Sequence, residues 1–280
     1  MDHPKHTFIQ GSILDRELIS HCIQQSDIVY HLAAVLGVKT CIEDPLKMIE
    51  VNFDGTILLL REAYRHGVKV VFASTSEVYG KNPSVPFTEE SDRVLGSTQV
   101  NRWSYATAKG LDEHLCFAYM EKGLPVTILR YFNAYGPRQS AGAGMVIPRF
   151  IQAALRNEPL YIHGGGSQRR CFTYVGDIVT GTVLAAKPEA SGGVFNIGSH
   201  YEITIRDLAE KVRELVGSSS PLIETSYEMA YGKGYEDMLR RIPDLTKSMK
   251  ILGYQPSVDL EYGLKKTIAW FLAAEQEARK

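Results

Sequence analysis

Hydrophobic and polar positions follow two alternating patterns along the first half of the chain. Short apolar runs rich in β-branched residues, typical of buried parallel strands, occur at 28–34, 68–74 and 125–130. Between them, apolar side chains spaced three and four residues apart predict helices over about 43–66 and 103–122. Because strands and helices alternate, the pattern predicts a mainly parallel sheet with right-handed crossovers.

The two ends of the chain extend this pattern. A short strand and turn are predicted at 7–13, followed by a helix over about 15–25. After residue 136 the character changes, and Gly142, Gly144 and Pro148 predict loops. Helices are predicted near 177–187, 205–216, 244–252 and 259–277.

Short strands are predicted among these later helices. Residues 160–163 and 171–175 flank three consecutive glycines and resemble two strands joined by a glycine turn, and another strand is predicted at 194–198. We therefore expect an α/β protein with two domains. A Rossmann-like sheet domain would cover 1–135, and a smaller lobe, partly interleaved with the sheet, would cover 136–280.

Composition narrows the possible functions. The chain has 280 residues, 44% of them hydrophobic and 22% charged, and a net charge of −1. That charge argues against general binding to nucleic acid or membrane surfaces. The four cysteines lie far apart without a CxxC motif, so neither a disulfide framework nor a metal site is predicted. With no signal peptide and no apolar run of membrane-spanning length, we expect a cytoplasmic protein.

Candidate chemistry centres on Tyr105 and Lys109. Residues four apart lie on one face of a helix, so the phenol and the ammonium can reach the same bound molecule. A phenol with a pKa of about 10 needs a nearby cation to act as a base. Hydroxyl groups at the end of the preceding strand, where open α/β sheets bind ligands, favour a catalytic function over a chance YxxxK pattern.

Several motifs occur in an order that resembles the extended short-chain dehydrogenase/reductases, specifically the NAD-dependent nucleotide-sugar epimerase/dehydratase group. They extend from about residue 8 to the C-terminus. The motifs are His31-Leu32-Ala33-Ala34, Asn52 to Thr56, Ser74 to Gly80, Tyr105 to Lys109, Arg130 to Arg138, Arg170 to Asp177, Phe195 to Gly198 and Arg241 to Asp244.

The resemblance implies an enzyme that acts through a transient oxidation at carbon 4 of the sugar. Tyr105 would take the proton from the hydroxyl on carbon 4, Lys109 would hold the nicotinamide ribose and lower the pKa of Tyr105, and Thr75 would hydrogen-bond the reacting sugar oxygen. The sequence Thr75-Ser76-Glu77 resembles the corresponding segment of nucleotide-sugar decarboxylases and some 4,6-dehydratases. Glu77 would act as a base at carbon 5 or assist loss of a group from carbon 6; alternatively, it is a solvated loop acid.

The same resemblance implies binding residues for a UDP-linked sugar. Asn133 would contact the diphosphate, Arg170 and Arg241 would clamp it, and Arg149 lies in a segment on the nucleotide-sugar side. Guanidinium groups bind phosphate oxygens in pairs, so two arginines from separate segments suit this role. Arg169 and Arg240, the sequence neighbours of these two arginines, are interpreted as solvated.

For the cofactor, NAD, the resemblance implies a second set of residues. Ser12 and Ile13 would lie at the adenine, and Leu32, Ala33 and Ala34 at the ribose. Family members begin with a glycine-rich TGxxGxxG unit that holds the pyrophosphate. The printed chain starts after the position of that unit, which predicts weakened NAD binding.

The reaction stays open between 4-epimerisation and uronate decarboxylation, with 4,6-dehydration third. The alternative function is a shortened relative that binds a nucleotide sugar or a partner chain without turnover. In the family, the helices matching 43–66 and 103–122 often form a four-helix bundle between two subunits. The resemblance therefore implies a homodimer.

Overall fold

A computed structural model describes residues 3–37, 40, 43–142, 145–231 and 236–278. In the first half, helices and strands alternate. They are α1 (Arg16–Gln24), β1 (Ile28–His31), α2 (Pro45–His66), β2 (Lys69–Thr75), α3 (Ser104–Glu121) and β3 (Val126–Tyr131).

The second half has shorter elements. They are β4 (Ala134–Tyr135), α4 (Val146–Leu155), β5 (Leu160–His163), β6 (Arg169–Cys171), β7 (Thr173–Tyr174), α5 (Val175–Leu184), β8 (Val194–Ile197), β9 (Glu202–Thr204), α6 (Ile205–Val216), β10 (Leu222–Thr225), α7 (Tyr227–Tyr231), β11 (Arg240–Arg241) and α8 (Leu260–Ala278).

The main sheet is parallel, with the strand order β1, β2, β3, β8. It confirms the predicted Rossmann-like α/β class. In the register between β2 and β3, Ser74 lies beside Arg130 and Thr75 beside Tyr131, so polar groups gather where both strands end. Strand β8 comes from the second half of the chain, and that half therefore contributes to the sheet.

Helix α2 shows how the local sequence sets these elements. The Asp44 carboxylate caps its start by accepting a hydrogen bond from the Lys47 backbone N–H (3.1 Å). Gly67 ends it in the left-handed conformation, with φ of 68°, which glycine adopts without steric cost. The apolar face of α2, including Leu59 and Leu60, is buried against β2, β3 and α3.

The second half has its own apolar core. It is formed by buried side chains of α4, α6 and α8, together with β5. Phe150, Ile162, Leu208 and Leu264 are fully buried in it. Short strands β6, β9 and β11 form a small separate sheet beside this core, with β6 antiparallel to β9 and parallel to β11.

Two strand predictions are wrong. Residues 7–13 form no strand, because a strand needs a hydrogen-bonded neighbour and the structure pairs β1 with β2 on one side only among the described residues. The expected hairpin of 160–163 with 171–175 is also absent. Strand β5 pairs with β10 instead, and the segment 171–175 is divided between β6, β7 and α5.

Two other regions differ from the predictions. Pro148 does not lie in a loop but in the first turn of α4, where a helix N–H has no partner in any case, so proline is tolerated. The helix predicted over 244–252 shortens to a π-helical turn at Ser248–Leu252. The remaining predicted helices form within a few residues of their expected bounds.

The described residues give three further facts. Cys22, Cys116 and Cys171 are free thiols, and Cys41 lies outside the described residues. In the part of the chain that the structure describes, no group of His, Cys, Asp or Glu side chains is arranged to hold a metal ion. None of the described helices combines the length and apolarity needed to cross a membrane.

Candidate active site

Thr75, Ser76 and Glu77 lie where β2 ends, and a 3₁₀ turn begins at Ser76. The Thr75 hydroxyl accepts a hydrogen bond from the Glu77 backbone N–H (3.2 Å), so it caps this turn as well as ending the strand. All three side chains are buried or nearly so. Helix α3 packs against the turn, which brings the helix of Tyr105 and Lys109 to the Thr75 end of the sheet.

Glu77 is held between two guanidinium groups. Arg102 pairs with its Oε2 at 2.6 Å, and Arg241 donates to its Oε1. Burial alone would raise the pKa of Glu77, but the charges and hydrogen bonds of Arg102 and Arg241 outweigh it and lower the pKa to about 2. The alternative of a solvated loop acid is therefore wrong for this residue.

Lys109 lies one helical turn after Tyr105 on α3. Its side chain is 2% exposed, and Nζ lies 4.5 Å from the centre of the Phe72 ring. Tyr105 is half-buried and packs beside Met48 and Ala108. Burial lowers the pKa of Lys109, while the nearby carboxylate of Asp112 raises it. A buried lysine with a nearby carboxylate can present a positive charge to a molecule bound beside it.

A buried network fixes α3 to the sheet. Arg130 on β3 donates two parallel hydrogen bonds to Glu113 on α3, at 2.9 and 2.7 Å, and the Ser74 hydroxyl donates to the same carboxylate. Arg130 also donates to the Tyr79 hydroxyl (3.0 Å). A bidentate guanidinium–carboxylate pair has a narrow geometry, so it sets the position of α3 relative to Thr75.

Arg170 and Arg241 are neighbours on paired strands. They face each other across the register of β6 and β11, and the charge of Arg241 contributes to a lowered pKa of Arg170, after burial. Arg170 pairs with Asp237 at 2.9 Å, and Arg241 donates to the Asn133 side-chain oxygen. The buried Nε of Arg241 has no acceptor among the described residues. The structure thus brings together Asn133, Arg170 and Arg241.

Arg149 belongs to a different cluster. Its Nη1 lies 2.8 Å from His163 Nε2, and His163 Nδ1 lies 2.6 Å from the Thr225 hydroxyl. Burial and the Arg149 charge lower the pKa of His163 to about 4, so the imidazole is neutral. Arg149 also donates to the Tyr161 carbonyl (3.4 Å). In this structure Arg149 therefore positions β5 and its neighbours.

Four of the predicted cofactor residues line a cavity of about 250 Å³, whereas Tyr105 and Lys109 lie outside its lining. The cavity wall includes Ser12, Ile13, Leu32 and Ala33, with His31 and Leu18 beside them. Ala34 follows this segment but lies outside the part of the chain that lines the cavity. The Ser12 hydroxyl and the apolar side chains suit an adenosine, and the buried Lys109 ammonium suits ribose hydroxyls. The residues present therefore fit these parts of NAD.

Sequence reasoning missed three charged partners. Arg102 completes the clamp on Glu77, Asp237 neutralises Arg170, and Glu113 binds Arg130. These pairs join residues that are distant in sequence or on different elements, and no local pattern indicates the partners Arg102 and Asp237. A signal was available for Glu113, since a carboxylate on the helix face of Lys109 must find a partner when that face is buried. Arg169, expected to be solvated, is about half exposed and pairs with Glu202.

The parallel sheet defines the chain as a Rossmann-like α/β protein. At the end of β2, the turn of Glu77 meets both Arg241 and helix α3, which carries Tyr105 and Lys109. The chain belongs to the NAD dependent epimerase/dehydratase family, whose model matches residues 1–198.

Comparison with known proteins gives particular relatives. The chain is 48% identical over 268 residues to a UDP-N-acetyl-alpha-D-glucosaminuronate decarboxylase of Bacillus cytotoxicus, covering 95% of this chain and 83% of that protein. It is 36% identical to UDP-glucuronic acid decarboxylase 1 of Xenopus tropicalis, covering 91% of this chain and 60% of the relative.

A solved structure shares the fold. It is a UDP-glucuronic acid 4-epimerase from Bacillus cereus in complex with UDP-glucuronic acid and NAD. The TM-score is 0.85 and the identity 32%, covering 96% of this chain and 82% of the epimerase. The relatives therefore include both decarboxylases and an epimerase of UDP-linked uronates.

Proposed function

We propose that the protein is an NAD-dependent decarboxylase of a UDP-linked uronate, acting through a 4-keto intermediate. The observation that carries the proposal is the cluster at the end of β2. There Thr75 adjoins Glu77, which is clamped by Arg102 and Arg241, and α3 with Tyr105 packs against the same turn. The sequence identity of 48% to a uronate decarboxylase favours this reaction over 4-epimerisation.

Each side chain has a defined task in this proposal. NAD, when bound, supplies the redox chemistry at carbon 4. Tyr105 takes the proton from the carbon 4 hydroxyl, with Lys109 as the cation that favours its phenolate, and Thr75 hydrogen-bonds the same oxygen. A ketone at carbon 4 lies β to the carbon 6 carboxylate. Carbon dioxide then leaves carbon 5, and the resulting enolate must be protonated there.

We assign this protonation to Glu77 or Ser76, which follow Thr75 in the turn at the end of β2. With a pKa of about 2, Glu77 is ionised and a very weak base while both arginines hold it. Arg241 is also expected to bind the diphosphate, and every contact it makes with phosphate competes with Glu77. Substrate binding would then raise the pKa of Glu77 and make proton transfer through it, or through Ser76, more favourable.

The substrate's diphosphate is assigned to Arg170 and Arg241, with Asn133 beside them. The support is their adjacency on β6 and β11 and the unused Nε of Arg241. Asp237 pairs with Arg170 at 2.9 Å and therefore competes with the diphosphate for that guanidinium. Arg149 is assigned a supporting place on the nucleotide side, through its contact with His163.

Two further assignments concern the whole chain. We propose the division into a dinucleotide-binding domain, 1–135, and a nucleotide-sugar lobe, 136–280, supported by the separate apolar core of α4, α6 and α8. We also propose a homodimer through α2 and α3, supported by exposed apolar side chains on both helices. A cytoplasmic location stays a prediction.

The test is a binding and product assay. The purified protein is titrated calorimetrically with NAD, UDP-glucuronate and UDP-glucose, and then incubated with NAD and each sugar nucleotide before mass spectrometry. We expect NAD and the uronate to bind, and the uronate product to have lost its carboxyl group. A uronate that binds without NAD binding would instead support the alternative of a relative without turnover.

A further inference from the structure

Asp112 is a buried carboxylate that the proposed reaction does not use. It lies three residues after Lys109 on α3, with its side chain 0% exposed, and its Oδ2 is 3.9 Å from Lys109 Nζ. Neither of its oxygens has a hydrogen-bond partner among the described residues. Burying a carboxylate without hydrogen bonds is costly, and interiors rarely keep such a group without a reason.

The groups around Asp112 leave Lys109 as its counter-charge. His31 on β1 is neutral, because burial and the charge of Lys109 lower its pKa to about 3. The Thr56 hydroxyl on α2 donates to the Asn52 carbonyl (2.7 Å), and its interaction with Asp112, which lowers the pKa of that carboxyl, brings no charge.

The other neighbours are also accounted for. Burial raises the pKa of the Cys116 thiol on α3, which therefore stays protonated. Glu113 on α3 is bound bidentately by Arg130 of β3. Phe72 of β2 contributes only its ring face to Lys109. Among the described neighbours, Glu113 has Arg130 as its cation, whereas Asp112 has only Lys109.

We propose that Asp112 is a positioning residue that keeps the Lys109 ammonium charged and aligned toward the cofactor. The proposal rests on the proposed function, in which Lys109 holds the ribose and favours the Tyr105 phenolate. At 3.9 Å the pair is an electrostatic contact longer than a hydrogen bond. The N–H groups of the Lys109 ammonium therefore stay available to a ligand, while the Asp112 carboxylate balances the positive charge.

This arrangement gives a pH dependence with a definite sign. Burial raises the pKa of Asp112 to about 7, with the charge of Lys109 opposing that rise. Burial also lowers the pKa of Lys109, and the Asp112 charge opposes that shift. The ion pair is therefore complete only above about pH 7, and removing the carboxylate lowers the pKa of Lys109 further.

The first test is a double-mutant cycle on NAD affinity, measured by calorimetry at about pH 8. We expect Asp112→Asn to weaken NAD binding about tenfold in the wild-type background, a typical size for loss of a buried charge partner. In the Lys109→Met background the same change should have less than a twofold effect. The matched control is Asp54→Asn, an exposed aspartate on α2 that should leave affinity unchanged.

A merely structural Asp112 would weaken binding equally in both backgrounds, and that result would overturn the proposal. Because an amide costs less to bury than a carboxylate, Asp112→Asn is expected to fold. Because the variant also leaves the buried Lys109 without its counter-charge, its thermal midpoint at pH 8 should fall, and circular dichroism checks that it is folded at the assay temperature.

The second test needs no cofactor. Protein labelled with carbon-13 at the lysine ε-carbon is titrated by NMR, and the Lys109 signal is assigned by its loss in Lys109→Met. We expect the Lys109 pKa to fall by one unit or more in Asp112→Asn. An unchanged pKa would contradict the proposal even if NAD binds. If NAD fails to bind the wild type but the pKa falls as expected, the proposed function fails while the pairing of Asp112 with Lys109 stands.

Discussion

Glu77 shows how far a single carboxylate departs from its behaviour in water. Its ordinary pKa of 4.5 falls to about 2, because Arg102 and Arg241 outweigh the cost of burial. Between these two values the unfolded chain binds a proton that the folded chain does not. The ion pairs therefore stabilise the fold above about pH 4.5, and this contribution is lost as the pH falls toward 2.

Replacing Glu77 by Gln should remove this pH dependence. Each pKa unit corresponds to about 1.4 kcal/mol, and acidification from pH 6 to pH 3 crosses about 1.5 units of the shift, so the wild type should lose on the order of 2 kcal/mol more than Glu77→Gln. Urea unfolding from about pH 6 to pH 3 measures the difference. Glu202→Gln is the control, because its partners Arg169 and Arg240 are about half exposed and solvent screens them. Parallel pH profiles for wild type and Glu77→Gln would contradict the account.

At the scale of single residues, the sequence indicated candidate reactive groups, whose roles stay predictions, but it did not indicate their ion-pair partners. Tyr105, Lys109 and Thr75 are marked by local spacing and by the end of a strand, and the structure places them on packed elements. The clamp of Arg102 and Arg241 on Glu77 joins three segments, and no local pattern records it. Asp112 could have been noticed, because a carboxylate one turn after Lys109 on an otherwise buried helix face is unusual.

Helix α3 is the element on which the site depends, and Arg130 links it to the sheet. Its bidentate pair with Glu113 is buried, so Arg130→Met leaves an unpaired buried carboxylate. We expect this change to lower the free energy of unfolding by about 3 to 5 kcal/mol.

Equilibrium unfolding in urea tests this prediction, with Arg156→Met as the matched control. Arg156 also pairs with a glutamate, Glu275, at 2.9 Å, but its side chain is 48% exposed. We expect that control to cost less than about 1 kcal/mol. Equal losses for the two variants would show that the buried pair does not anchor α3.

Helices with a long periodic pattern of apolar residues were predicted well. Short strands, which form only when a neighbouring strand pairs with them, were predicted poorly. The 22-residue helix α2 contains its own N-cap, apolar face and C-terminal glycine, so its local sequence is sufficient to predict it. Residues 7–13 have strand-like side chains but no neighbouring strand. The sequence of β5 is compatible with pairing to several strands, and in the folded protein it pairs with β10. Local sequence contains no information on such choices.

For the whole molecule, the proposed dimer accounts for apolar surface on α2 and α3. Leu46 on α2 is 64% exposed and Leu111 on α3 is 45% exposed. We expect the wild type to be a dimer by light scattering, and Leu111→Arg to be a monomer, because a buried arginine without a partner disfavours association.

The control for that experiment is Leu239→Arg, which changes an exposed leucine outside these helices. It should leave the dimer intact. A monomeric wild type would exclude the dimer, and a dimeric Leu111→Arg protein would place the interface elsewhere.

The central claim is that the site built on β2 and α3 removes the carboxylate of a UDP-linked uronate with Tyr105 as the base. The most direct measurement supplies UDP-glucuronate or its N-acetylated amino analogue, labelled with carbon-13 in the carboxyl group, together with NAD. The account predicts release of labelled carbon dioxide by the wild type and a loss of at least about a hundredfold in rate for Tyr105→Phe. Label that stays in a sugar inverted at carbon 4, or release unaffected by Tyr105→Phe, would contradict it.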